Sequence, residues 1–324
     1  GVVTVMTSDC KIWNKEQFVI DVIKEGMVTD GVICIALNAE GPCCKETHID
    51  AVLSDIASTF DISADRFVIN TANQIRSSRY KEIRWINDIL TGAHQKIKSY
   101  IPVKSTLKKT FGIFIGRSNW QRLGIASYIW NTQKDNSVMT FHYDPRVEYH
   151  RSNVGLEELL CKYPDGLGDV FPFLGVLPLT HDTVSYPILW SDNAYDLDAL
   201  YDDIFCEIVC ETYFSGRTFF ISEKTYRCIV NKRPFIVQGP KWFLKNLRKL
   251  GFKTFSKWWD EGYDEDHSDS RFETLTHHVD WIGSQNEQTI SNWYQEMQST
   301  LEHNYNTLRN LTNEQILDTE FYYE

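Results

Sequence analysis

The strongest constraint on this chain is the alternation of short apolar runs with longer stretches of helical periodicity. Val2 to Met6, Gly31 to Asn38, Arg66 to Gln74 and Phe111 to Gly116 read as strands. Lys15 to Gly26, His48 to Phe60 and Tyr80 to Lys98 read as helices between them, and RSNWQRLGIASYIWN after Gly116 as an amphipathic helix. Strands this short and this apolar are buried on both faces, and strands joined through helices run parallel. The expectation is an α/β protein with parallel sheets covered by helices on both faces. Its 324 residues suffice for two ordinary domains, and the boundary is placed near residue 110.

The stretch ETYFSGRTFFISEKTYRCIVNKRPFIVQGPKWFLKNLRKL, Glu211 to Leu250, carries the chemistry. FFIS, Phe219 to Ser222, is a strand-like run, and Ser222 is a good N-cap for a helix starting at Glu223. RPFIVQGP, Arg233 to Pro240, reads as a buried strand closed by a turn. A βαβ-type unit of this kind sets Glu223 and Lys224 at a helix N-terminus above the carboxyl ends of parallel strands. Open α/β sheets bind ligands there, and helix N-termini attract phosphate. A carboxylate can hold two ribose hydroxyls while the adjacent ammonium meets a diphosphate, so the pair reads as a nucleotide-sugar site.

CEIVCET followed by ISEKTYRCIVNKRPFIVQGP resembles the donor-binding motif of GT-B glycosyltransferases related to the α-1,3-fucosyltransferases. The matching elements are Glu211-Thr212, Ser222-Glu223-Lys224 and Pro234 to Gly239. Thr212 stands where those enzymes carry Asn, and Arg233-Pro234-Phe235 is bulkier than their small residues. The resemblance implies a GT-B fold: two Rossmann-like domains whose parallel sheets face a central cleft. It further implies an acceptor domain over residues 1–110 and a nucleotide-sugar domain over 111–284. Residues 285–324 would form a C-terminal helix crossing back to the first domain. Within them, Ile290, Trp293, Tyr294, Met297, Leu301, Tyr305 and Leu308 are spaced for one helical face. An inverting transfer from a UDP- or GDP-linked sugar is implied by the resemblance alone, as is a virus- or phage-type member of the group.

Further candidates follow other strands. In GRSNWQRL, Gly116 ends a strand, Arg117 lies in the turn and Arg122 falls about one turn into a helix. Guanidinium forks bind phosphate oxygens, aided by the helix dipole, and the resemblance implies an Arg here on the donor diphosphate. The alternative is a helix cap with a surface Arg; GxxxxGK[ST] is absent. In LNAEGP, Glu40 follows a buried strand and could take the acceptor's proton as general base. Asp9 holds the equivalent position one strand over, and His142 in TFHYD follows another. Asn73 and Gln74 could bind acceptor hydroxyls or serve as core amides.

Charge bears on the acceptor. Residues 1–110 hold 14 Lys+Arg against 13 Asp+Glu, leaving 19 against 31 for residues 111–324 and a net charge of −11 for the whole. Residues 66–109 hold ten basic and two acidic residues, with Tyr80, Trp85 and Tyr100 interleaved. Such a stripe suits an anionic partner or a solvated amphipathic helix equally. The acceptor is therefore a glycan or a hydroxymethylated base in DNA gripped through 66–109; the latter would need flipping and would bind in a salt-sensitive way. A non-catalytic nucleotide- or glycan-binding protein is the reading from a different class. No apolar run approaches the ~20 residues of a membrane span. Eight cysteines without zinc-type pairing favour free thiols and a cytoplasmic setting. Asp196-Leu197-Asp198 and Asp264-Glu265-Asp266 do not follow buried strands, so no metal is expected, and Lys224 with Arg117 would neutralise the leaving diphosphate.

Overall fold

The computed structural model describes residues 1–5, 15–37, 41–44, 47–85, 107–143, 155–164, 170–180 and 197–323. The first unit comprises β1 (Val2–Val5), α1 (Lys15–Val28), β2 (Ile33–Leu37), α2 (Ile49–Thr59), β3 (Phe67–Thr71) and β4 (Lys81–Arg84). Its strands form one parallel sheet in the order β1-β2-β3-β4. Ile49, Val52, Leu53 and Ile56 make one buried face of α2 at helical spacing, and they pack with Ile35, Leu37 and Phe67 of the strands.

The helix expected over Tyr80 to Lys98 is corrected here. Lys81–Arg84 is instead an edge strand hydrogen-bonded to β3, and residues 86–98 lie outside the described residues. The open edge of β3 supplies backbone partners that outweigh helix propensity. The turn before β4 is locked as well: Glu82 Oε1 accepts from Ser77 N at 2.8 Å and Ser78 N at 2.6 Å. Tyr80 closes the core edge-on against Phe67, with ring centroids 5.5 Å apart.

The second unit begins with β5 (Lys109–Ile115), α3 (Trp120–Gln133), β6 (Ser137–Phe141), α4 (Leu156–Lys162), α5 (Val170–Gly175), α6 (Asp198–Tyr201) and β7 (Ile204–Cys210). It continues with α7 (Glu223–Val230), β8 (Phe235–Gln238), α8 (Phe243–Lys249), α9 (Ser268–Gly283), α10 (Glu287–Asn310) and α11 (Asn313–Asp318). Its sheet is parallel in the order β6-β5-β7-β8. The chain thus lays down β5, steps outward to β6, then returns across β5 to build β7 and β8. Every residue of β7 is buried. The fold is therefore α/β with two four-stranded parallel sheets, each of the kind found in Rossmann-like domains.

Two further expectations are corrected in this unit. The first two turns of α3, Trp120 to Ser127, are buried all round rather than on one face. They are covered by α4 and α9, and the Phe272 ring comes so close to Gly124 that a Cβ there would sit 2.8 Å away. The run Phe219 to Ser222 is not a strand but part of the connection from β7 to α7. Its backbone turns to the first unit instead: Gln74 N donates to Phe219 O at 2.9 Å, and Phe219 N donates to Asn73 Oδ1 at 3.1 Å.

The periodic segment near the C-terminus forms α10, but its described bonds lie within the second unit. Tyr294 meets Arg233, Asn304 bonds Lys253 at both backbone groups, and Trp293 stacks near Trp281. The return to the first unit is made by the residues after it. Arg84 Nη2 donates to Leu317 O at 3.3 Å, while Phe321 packs within the second unit on Phe219, with centroids 4.7 Å apart.

Candidate functional site

The strand order of the second sheet reverses between β5 and β7, and crevices at such reversals, outside the carboxyl ends of the strands, are where open α/β sheets hold ligands. The turn after β5 supplies Arg117 and Asn119; the loop after β7 begins with Glu211. Two helices start here. Asn119 Oδ1 caps α3 by accepting from Arg122 N at 3.0 Å, and Ser222 Oγ caps α7 by accepting from Lys224 N at 3.2 Å. Ser222 is the N-cap that the sequence indicated.

Glu211 is the deepest charged group at this point. It is 3% exposed; its Oε1 accepts from Thr225 Oγ1 at 2.6 Å, while its Oε2 is buried without a hydrogen-bond partner among the described residues. Burial pushes its carboxyl above the usual range, against the pull of Lys224 and of hydroxyls on Ser222 and Thr225. Glu223 and Lys224 pair at 2.8 Å with side chains 23% and 19% exposed, and the ammonium also lies 3.4 Å from Ser222 Oγ. Burial works against the Glu223 carboxylate, but Lys224, its hydrogen bond and Arg227 together hold it below its ordinary value. The two neighbouring carboxyls are thus shifted in opposite directions, Glu211 up by burial and Glu223 down by its cationic neighbours.

The two arginines diverge. Arg122 is buried, and its guanidinium donates to Arg117 O at 3.2 Å and Glu211 O at 2.9 Å, so it ties the β5 turn to the end of β7. Two of its nitrogens are already engaged by main-chain carbonyls, which makes it a clamp on the crevice rather than an open phosphate fork. Arg117 is exposed, with no side-chain hydrogen bond or ion pair among the described residues. His142 follows β6, is buried, and its backbone N–H donates to Ile115 O at 3.0 Å. The Cys210 thiol at the end of β7 is pushed by burial up to about 12, so it carries no thiolate at neutral pH.

Glu40 and Asp9 lie outside the described residues. The residue after Glu40 is placed: Gly41 adopts φ +59, and a Cβ on it would meet Asn73 N at 2.2 Å. Only glycine fits such a close approach at that dihedral. Gly41 O accepts from Thr218 Oγ1 at 3.0 Å, across the junction between the units. Asn73 is the hub of that junction. Its amide donates to Arg217 O at 3.1 Å and accepts from Phe219 N at 3.1 Å and Ile75 N at 3.0 Å. The loop after β3 is thereby bonded to the loop after β7. Of the two roles open to Asn73, the core amide is the one observed. Gln74 likewise donates inward, to Ala72 O and Trp85 O.

Beneath the crevice lies a group that sequence reasoning missed. Glu207 on β7 receives Arg227 Nη2 at 3.1 Å, the Tyr201 hydroxyl and the Cys228 thiol, while Arg227 Nε donates to Tyr201 O–H oxygen at 2.6 Å. All four are buried. A lone Glu inside the otherwise apolar IFCEIVC was the available signal, since a buried carboxylate requires a partner. Arg227 lies one helical turn below Glu223 and so links the floor of the unit to the start of α7.

The basic segment is partly used up internally. Arg66 bonds Gly31 O, Arg84 bonds Gln74 O, Lys109 bonds Asp135 O and Lys108 pairs with Asp203 at 2.9 Å. Arg76, Arg79 and Lys81 remain exposed, and residues 86–106 lie outside the described residues. Among the described residues there is no cluster of three or more His, Cys, Asp or Glu placed to hold a metal ion, the cysteines are free, and no helix is long and apolar enough to cross a membrane. Compared with protein-family models, with curated proteins and with solved structures, the chain matches none of them.

Proposed function

We propose that this chain is a glycosyltransferase that takes a sugar from a UDP- or GDP-linked donor and passes it to an acceptor hydroxyl, with inversion and without a metal. The reading rests on one observation above the others. Glu211, Glu223, Lys224 and the clamp Arg122 all stand at the reversal point between β5 and β7, beside two capped helix starts. In this reading Glu223 accepts the ribose hydroxyls, Lys224 and Arg117 neutralise the diphosphate as it leaves, and Arg122 keeps the two loops in register. The base comes from the first unit, Glu40 before Asp9, because Gly41 sits against the loop that leads to Ser222. A GT-B arrangement of the two units belongs to the same proposal, as does a glycan or modified DNA base as acceptor. The test is a thermal-shift panel of UDP, GDP, ADP and CDP with their common sugars. A ligand that binds only the native state raises its melting temperature, so one nucleotide should stand out. A flat panel would overturn the donor site.

A further inference from the structure

The geometry points to a docking surface for single-stranded nucleic acid on the second unit, built from Lys241, Trp242, Lys245 and Lys249 together with Tyr322. Lys245 and Lys249 stand about one turn apart and so share one side of α8, while Lys241 lies in the turn before it, ahead of the left-handed Trp242. Two rings are threaded between them. Lys241 Nζ lies 5.0 Å from the Trp242 ring, Lys245 Nζ lies 5.7 Å from Trp242 and 4.4 Å from Tyr322, and Lys249 Nζ lies 4.1 Å from Tyr322.

The Tyr322 backbone is held in place before any partner arrives. Tyr322 N donates to Asn246 Oδ1 at 2.7 Å and Asn246 Nδ2 donates to Tyr322 O at 3.1 Å, yet Tyr322 remains 40% exposed. Trp242 sits 6.5 Å from Tyr322, centroid to centroid. Next to them Tyr323 is 53% exposed beneath the Arg217 guanidinium at 3.7 Å. Glu265 pairs with Lys245 at 3.1 Å and Lys249 Nζ donates to Glu320 O, and a phosphate would have to displace both.

Rings with ammonium groups over them suit a strand whose bases take the lysines' place on the rings and whose phosphates then receive the ammonium groups. Charge complementarity selects the occupant: a second copy of this chain, at net −11, offers acid but no stacking bases. The inference stands apart from the transferase reading, because binding is measured with neither donor nor turnover.

Fluorescence anisotropy of a labelled oligothymidine with the full chain tests it, across a salt titration. The wild type should bind at low salt and weaken linearly in log[salt]. Replacing Lys241, Lys245 and Lys249 with Glu should lower affinity about tenfold or more and flatten the salt slope. Trp242→Gly suits the observed φ of +64 while deleting the ring. It should weaken binding roughly tenfold, as should Tyr322→Leu. No binding by the wild type, or lysine variants that bind as it does, would overturn the surface. Inorganic polyphosphate or polyglutamate displacing the oligonucleotide as well as unlabelled strand does, with both ring variants unimpaired, would overturn nucleic acid as its partner.

Discussion

At the scale of single residues, Glu211 and Lys224 give the sharpest expectations. Glu211 is a buried carboxyl with one oxygen unpartnered among the described residues, and burial raises its pKa on folding. A raised carboxyl means the folded state holds its proton more tightly than the unfolded state. Its contribution is therefore fully favourable below the ordinary carboxylate range and is lost as pH rises through the folded value. Glu211→Gln should melt with the wild type in acid and above it at neutral pH, in a series of thermal melts against pH. A constant difference would show that Glu211 is not buried as described. Lys224→Ala should weaken nucleotide binding by about 1.5–3 kcal/mol, the worth of a charge-assisted bond, with little change in melting temperature. Calorimetric titration with the nucleotide that wins the shift panel reads this directly. The type and place of both residues were legible in the sequence. That Arg122 would bond carbonyls was not, because its fate depends on how far the β5 turn stands from the end of β7.

At the scale of elements, legibility followed the strength of the local pattern. The strands β5 and β8 and the cap at Ser222 were readable, since apolar runs and capping side chains act within a few residues. Lys81–Arg84 and Phe219 to Ser222 were misread in opposite senses for a shared reason. The first found backbone partners on the edge of β3, and the second found them on Asn73 and Gln74, so a distant strand end decided each. The β7–α7 pairing is likewise tertiary. Arg227→Ala would strand Glu207 in the core and should cost about 3–5 kcal/mol in denaturant unfolding. The double change Glu207→Gln, Arg227→Met should recover much of that, because no charge is then left buried. Equal losses in the single and double variants would mean that packing, rather than charge, sets the effect.

Across the whole molecule, the two units are joined by bonds concentrated at one rim. Asn73, Gln74 and Gly41 bind the loop from Arg217 to Phe219, and Arg84 reaches Leu317. Asn73→Ala removes two of these bonds and the local one from Ile75 N, and should lower stability by about 2–4 kcal/mol. It should also loosen the loop leading to Ser222, so that hydrogen exchange at Phe219 rises more than exchange within β3. Uniform change at both places would argue against a localised junction.

The bond from Phe219 to Asn73 closes a span of 146 residues. During synthesis the strands of the first sheet are all made long before the loop that bonds Asn73 emerges, and domains assemble in the order in which they leave the ribosome. The Asn73 amide therefore waits for its partner until Phe219 has appeared, just over two thirds of the way along the 324 residues. Contacts this remote in sequence slow folding. The crevice at the β5–β7 reversal and the rim of the first sheet should accordingly mature in a single late step.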